Sequence, residues 1–279
     1  MRMTERRHDQ QARFGSTGSN EHAMVERSAS RQKRSLHMKE QPHASSFAHH
    51  PAPLGVGVVH SPLGGLDLQS VADAVYGESQ HARLITWLVD LLHVIIEQPT
   101  SVSAVWHPLG CLYVELLRTI TRSIRLHVWD IADRGIARSP ITVHSHDFDL
   151  HSLVLTGSIE NRVYSVARGA PTHQIYDIEY HGDINILRPT GSYRRCIPES
   201  CSRISQSHSY TILPGEFHQV QGCTRDLTST FVVADLRPDC QGPLLGPVDG
   251  RAVVHTVRRP CPQTELVSML TRLVACARH

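Results

Sequence analysis

The chain has no C-x-x-C pair, no unbroken apolar run of bilayer length, no apolar leader behind Met1, no internal repeat and almost no net charge. Each absence closes off a class. Its seven cysteines (Cys111, Cys196, Cys201, Cys223, Cys240, Cys261, Cys276) are odd in number and scattered, which reads as reduced thiols in a cytoplasmic protein rather than a disulfide framework. A loop disulfide between Cys196 and Cys201 is the oxidised alternative. A membrane-spanning helix needs about twenty apolar residues, and Asp90 and His93 interrupt the most apolar stretch, residues 83–97. A formal charge of +2 gives no electrostatic reason to expect nucleic acid.

What is present divides the chain into four parts. Residues 1–61 are rich in Arg, Ser, Gln and His, with nine Lys/Arg against five Asp/Glu in the first fifty residues. Lacking apolar periodicity, they are expected to be a disordered basic leader. An Arg- and Ser-rich start resembles a transit peptide, but Glu5, Asp9, Glu21 and Glu26 weaken that reading, and a translation start at Met24 or Met38 stays open. Residues 62–107 form a helical segment, with Leu84, Trp87, Leu88, Leu91, Leu92 and Ile95 on one stripe and a stop at Pro99. From 108 to 258 the pattern is a succession of short strands separated by turn residues, which indicates an all-β sandwich or barrel. A C-terminal helix closes the chain within 259–279, with Leu266, Met269, Leu270, Leu273 and Val274 on its apolar face.

Histidine is the residue in excess, at 20 copies. Seven lie in the leader, so chance His-x-His pairs need weighing. One pair stands out: His144 and His146, followed by a strand that ends at Gly157, with Pro214-Gly215-Glu216-Phe217-His218 far downstream. Alternate residues of an extended strand share a face, so His144 and His146 project together. His218, after a Pro-Gly turn, can close the site. Three neutral imidazoles suit Fe, Zn, Cu or Ni and leave coordination positions open.

This arrangement resembles the cupin superfamily of small β-barrels, matched at His144, His146, Gly157, Gly215 and His218. The resemblance implies a cupin-type β-barrel, here with an N-terminal helical segment and a C-terminal helix. The family's usual glutamate slot falls on Leu150 or, with a longer gap, on His151. Because strand faces alternate, only one of these can point into the barrel. Leu150 gives a three-histidine site; His151 would add a fourth imidazole. Leu150 is the preferred reading. A three-histidine cupin is similar to the thiol dioxygenases, whose cofactor is Fe(II). Zinc, nickel and manganese stay open as alternatives. The Ser-His-Tyr relay of those enzymes has no counterpart in Leu227–Asp235.

The resemblance implies an oxygenase taking O₂ and a small polar metabolite, a thiol or an amino-acid derivative, with no nucleic-acid or membrane partner and with a homodimer as one oligomeric option. Arg122, Arg125 and Arg162 lie near the ligands in sequence and could pair with a substrate carboxylate in fork geometry. Arg125 shares strand parity with His127 and Trp129. Tyr164 heads the tyrosines, with Tyr176, Tyr180, Tyr193 and Tyr210, that could supply a hydroxyl. Glu216 shares parity with His218 if that segment is extended, and would then serve as acid or base. The catalytic expectation is therefore Arg125, Tyr164 and Glu216, with metal at His144, His146 and His218. Two rival readings are a zinc lyase or isomerase and a non-enzymatic small-molecule-binding barrel.

Overall fold

The computed structural model describes residues 74–75, 77–130, 138–223, 227–237, 242–250 and 252–277. The leader 1–61 lies outside them. After a 3₁₀ turn at Glu78–Gln80, helix α1 runs from His81–Glu97 and ends before Pro99. The β region starts earlier than the sequence suggests: Ser103–His107 is strand β1, not the end of a helical segment. It is antiparallel to β2 (Cys111–Arg118), and its alternating Val105 and His107 place it on the sheet.

Two seven-stranded antiparallel sheets follow. The first has the order β14-β1-β2-β3-β11-β5-β9. Here β3 is Arg122–Trp129, β5 Asp149–Thr156, β9 Ser209–Ile212, β11 Thr228–Asp235 and β14 Arg259–Pro260. The second has the order β13-β8-β6-β10-β4-β12-β7. Its members are β4 Val143–His144, β6 Ser158–Ala167, β7 His173–His181, β8 Ile184–Ser205, β10 Phe217–Gly222, β12 Leu244–Pro247 and β13 Val254–Val257. Because β8 also pairs with β7, the strands of this sheet close on themselves. That strand runs unbroken for 22 residues, joining two short strands expected at its ends; its exposed Pro, Gly and Ser residues had read as turns. The turn between β5 and β6 is the single residue Gly157, at φ +71°, a conformation open to glycine without a Cβ penalty. The chain ends in α2 (Gln263–Ala277).

The architecture is all-β, two antiparallel sheets with helices covering one face of the first. Alternation along β3 separates that sheet's two faces. Leu126 and Val128, with Phe231, Val233, Leu153 and Leu155 from neighbouring strands, are sealed against Leu88, Leu92, Leu270 and Leu273 of the helices. Trp87 meets Phe231 edge-on at 6.3 Å. The opposite face carries Tyr113, Arg125 and His127, all only half-buried, and looks toward the second sheet. An inner face less buried than the outer one means that water reaches the space between the sheets. No helix among the described residues is long and apolar enough to cross a membrane.

Candidate metal centre

His144 and His218 are direct cross-strand partners on β4 and β10. Their rings lie 4.5 Å apart between centroids, and His146 lies 4.8 Å from the first and 5.3 Å from the second. One ligand nitrogen from each falls within 4.8 Å of the others. Regular strand geometry ends at His144, and the backbone that follows is pinned by loops. Ser145 N–H donates to the Pro243 carbonyl at 3.0 Å, and Gly215 N–H donates to the His146 carbonyl at 2.6 Å. Gly242 closes this from outside, since a Cβ there would collide with the Ser145 carbonyl and sit 2.8 Å from His146 N.

The donor chemistry fits a divalent transition metal. A carbonyl only accepts, so the 3.0 Å contact of His144 Nδ1 with Thr142 O fixes the proton on Nδ1 and leaves Nε2 with a free lone pair. His218 is fully enclosed, yet neither ring nitrogen has a hydrogen-bond partner. Buried polar atoms are ordinarily satisfied, and an unsatisfied one costs about 1–3 kcal/mol. Burial, chiefly, keeps all three imidazoles neutral. The mutual proximity of the rings depresses His146 and His218 further, and Arg125 depresses His144 and His146. Neutral nitrogens are what a metal requires.

The fourth position is apolar. On β5, Leu150 packs with Ile212, Val232 and Phe148 on the chamber side. His151 pairs across the strands with Val233, a helix-face residue, and its Nδ1 contacts Thr211 Oγ1 at 3.0 Å. His151 as a fourth ligand is thereby corrected: strand alternation turns it away from the cluster.

The three expected catalytic residues fare differently. Arg125 enters the chamber, with its guanidinium carbon 5.6 Å from the Tyr113 ring and 5.7 Å from the Phe148 ring. Phe148 in turn stacks on His146 at 4.7 Å. Arg125 Nε is buried with no partner. Glu115, across the strand pair from it, accepts from Tyr113 Oη and Arg118 Nε instead. Tyr164 is displaced from the site. It pairs with Phe217 rather than His218, and so lies on the other side of the second sheet, in an apolar cluster with Val143, Cys196 and Leu245. Its hydroxyl donates to Gln219 Oε1 at 3.2 Å. Glu216 belongs to a turn, in which its N–H donates to the Leu213 carbonyl at 3.0 Å. The parity with His218 that would have aimed it inward does not exist there. Of the other arginines, Arg122 is paired with Asp235 at 2.7 Å and Arg162 with Glu160 at 2.5 Å.

Sequence reading missed three chamber residues: His107, Tyr113 and Phe148. Phe148 was legible as the next alternate residue after His144 and His146. His107 was hidden because β1 falls within the expected helical segment, and Tyr113 because nothing local says which face of β2 lines the chamber. With His127 and Trp129 they form a ring array on the first sheet, with centroid separations of 6.3, 5.6 and 5.8 Å. A shallow depression of about 400 Å³ lined by Tyr164, Val166, Glu199 and the Leu213–Phe217 turn lies away from this array.

Fold and cluster together define a class: an all-β barrel in which three histidines could hold a metal ion. No protein-family model and no curated protein matches the chain. Among solved structures it is similar to the cupin domain of Cnp3 from Schizosaccharomyces pombe, at 7% identity and a TM-score of 0.25, over 46% of this chain and 61% of that one. It is also similar to procruciferin, an 11S globulin from Brassica napus, at 11% identity and a TM-score of 0.27, over 56% of this chain and 33% of that one. The chain thus spans less than two thirds of either protein.

Proposed function

We propose that the protein is a mononuclear non-haem Fe(II) oxygenase acting on a small polar metabolite that carries a carboxylate. The observation that supports this reading is the meeting of two complementary features between the sheets: a neutral three-nitrogen donor set on the second sheet and, facing it, an arginine without an acidic partner among the described residues. Bound there, Fe(II) would supply open coordination positions for substrate and O₂. The chain's own residues do the rest. Arg125 offers a planar fork to a carboxylate, and the faces of Tyr113 and Phe148 fix the height of its guanidinium. His144 is oriented by its hydrogen bond to Thr142 O. Leu150 leaves the fourth side without a competing charged ligand. The substrate is a thiol, an amino-acid derivative or an oxo-acid, all of which can chelate while presenting a carboxylate.

The test has two stages. Protein purified without chelator should carry about one transition-metal ion per chain, and His146→Ala and His218→Ala should lose it; full occupancy in both variants sinks the site. Anaerobic Fe(II) reconstitution should then give substrate-dependent O₂ uptake across panels of thiols, amino acids and oxo-acids, with none from Zn²⁺ protein. Turnover with Zn²⁺ and no O₂ uptake would replace this reading with a lyase or isomerase on the same three ligands.

A further inference from the structure

We propose that Arg258, together with His107, forms a second anion-binding point at the β1–β14 end of the chamber, so that the natural ligand is a small dianion held between Arg258 and Arg125. This deepens the oxygenase reading and rests on it only for the chamber being where the ligand sits.

Register sets the geometry. Trp106 is opposite Arg259 and Val105 opposite Pro260, and Arg258 and His107 are the next residues beyond the Trp106–Arg259 pair. His107 itself pairs with Cys111, and Tyr113 with His127, on the chamber face. The Arg259 guanidinium lies over Trp106 on the helix side, 6.0 Å from its ring, so the neighbouring Arg258 turns the opposite way, toward the chamber face. The guanidinium rests on the Tyr180 ring at 4.9 Å, and its N–H on the main chain donates to the Asp183 carbonyl at 2.7 Å. The residue is thus held at β7 and its following turn, through its side chain at Tyr180 and its main chain at Asp183.

Among the described residues no carboxylate pairs with that charge. Other arginines of these sheets are used structurally: Arg118 with Glu115, Arg122 with Asp235 and Arg188 with Glu179, each at 2.7 Å. Among the described residues Arg258 and Arg125 make no such pair, and in both the Nε is buried without an acceptor there. A buried guanidinium N–H with no acceptor is costly, and here two like charges share one chamber. Both costs are removed by one ligand with an acid group at each end.

His107 completes the second point. Leu109 N–H donates to His107 Nδ1 at 3.2 Å, so the proton of the neutral ring is on Nε2, as a donor. Burial first, then Arg258, His127, His144 and Arg125, hold the ring neutral far below its usual range. It therefore offers an N–H to an anion without adding a third positive charge beside the two arginines.

The experiment is calorimetric titration of the full chain with malonate, succinate, glutarate and adipate, set against acetate, propionate and butyrate. One dicarboxylate should bind at least about tenfold more tightly than any monocarboxylate. Arg258→Met should abolish that preference while leaving monocarboxylate affinity within about twofold, whereas Arg125→Met should weaken both series. Arg258→Lys, which keeps the charge but loses the fork, should retain part of the preference and guards against a folding defect in the Met variant. The same titration on His218→Ala separates the two readings. A dicarboxylate preference that survives there supports the arginine pair whatever becomes of the metal; its loss together with the metal means that the ion holds the second acid group, and overturns the proposal. Equal affinity for the two series in the unaltered protein, no binding of either, or an undiminished preference in Arg258→Met would overturn it as well.

Discussion

The two faces of strand β3 hold residues two positions apart and do opposite work. Leu126 and Val128 are wholly buried against the helices, where each methylene removed from water contributes about 0.8 kcal/mol. Arg125 and His127, on the other face, are less tightly packed, and Arg125 Nε, Trp129 Nε1 and Thr230 Oγ1 have no hydrogen-bond partner among the described residues. Stability therefore resides on the helix side, and the chamber side carries chemistry at the expense of stability. Substitutions on the two faces should differ in kind, not only in size.

The largest effect should come from the helix side. Phe231 is fully buried and meets Trp87 of α1. Phe231→Ala should cost about 3–5 kcal/mol, a large share of a typical 5–15 kcal/mol total, while whatever protein still folds binds metal normally. Urea unfolding with parallel metal analysis checks this; metal loss in the folded fraction would show that the faces are coupled.

The chamber side should give the reverse sign. With the metal chelated, His218 keeps two buried ring nitrogens unpaired. His218→Leu in chelated protein should therefore raise stability by about 1–3 kcal/mol while eliminating metal binding. A loss of stability in chelated protein would mean that the imidazole is already satisfied by a bound water or a rotated ring.

Acid should act most strongly on the chamber. The His127 ring is held at about 3, by burial first and then by Arg125 and His144. Its unfolded counterpart takes up a proton near 6.5. Between those two values the unfolded chain binds more protons, so stability is complete above pH 6.5 and falls as the pH drops, by up to about 1.4 kcal/mol per unit for this ring. His127→Phe should flatten the slope of urea midpoint between pH 7 and pH 5. An unchanged slope would assign the acid sensitivity to other groups.

The same two-faced pattern explains what could be read in advance. The strands β2, β3, β5, β6, β7 and β11 were legible because apolar alternation and bounding turn residues agree there, and α2 because Leu266, Met269, Leu270, Leu273 and Val274 keep helical spacing. The histidine cluster was legible from strand parity at His144 and His146 and from the turn before His218. Sheet registers across long separations were not. Nothing local says that Tyr164 sits opposite Phe217, or that Arg259 sits opposite Trp106, because pairing is decided by which strands neighbour one another. β1 was lost for a related reason: five residues, Ser103–His107, give too short a period to distinguish from a fraying helix end.

The smallest effect tests that register directly. Leu150 and His151 are neighbours on β5, and the cluster's composition depends on which of them faces it. Leu150 packs with Phe148 beside His146, while His151 contacts Thr211 on the opposite side. The contact is a single partly exposed hydrogen bond, so His151→Ala should cost no more than about 1 kcal/mol and leave metal content unchanged. His144→Ala, by contrast, should remove the ion. Should His151→Ala lose metal to the same degree, β5 would be shifted by one residue in solution. Leu150 would then face the helices, and the centre would be a four-imidazole site with one fewer open coordination position for substrate.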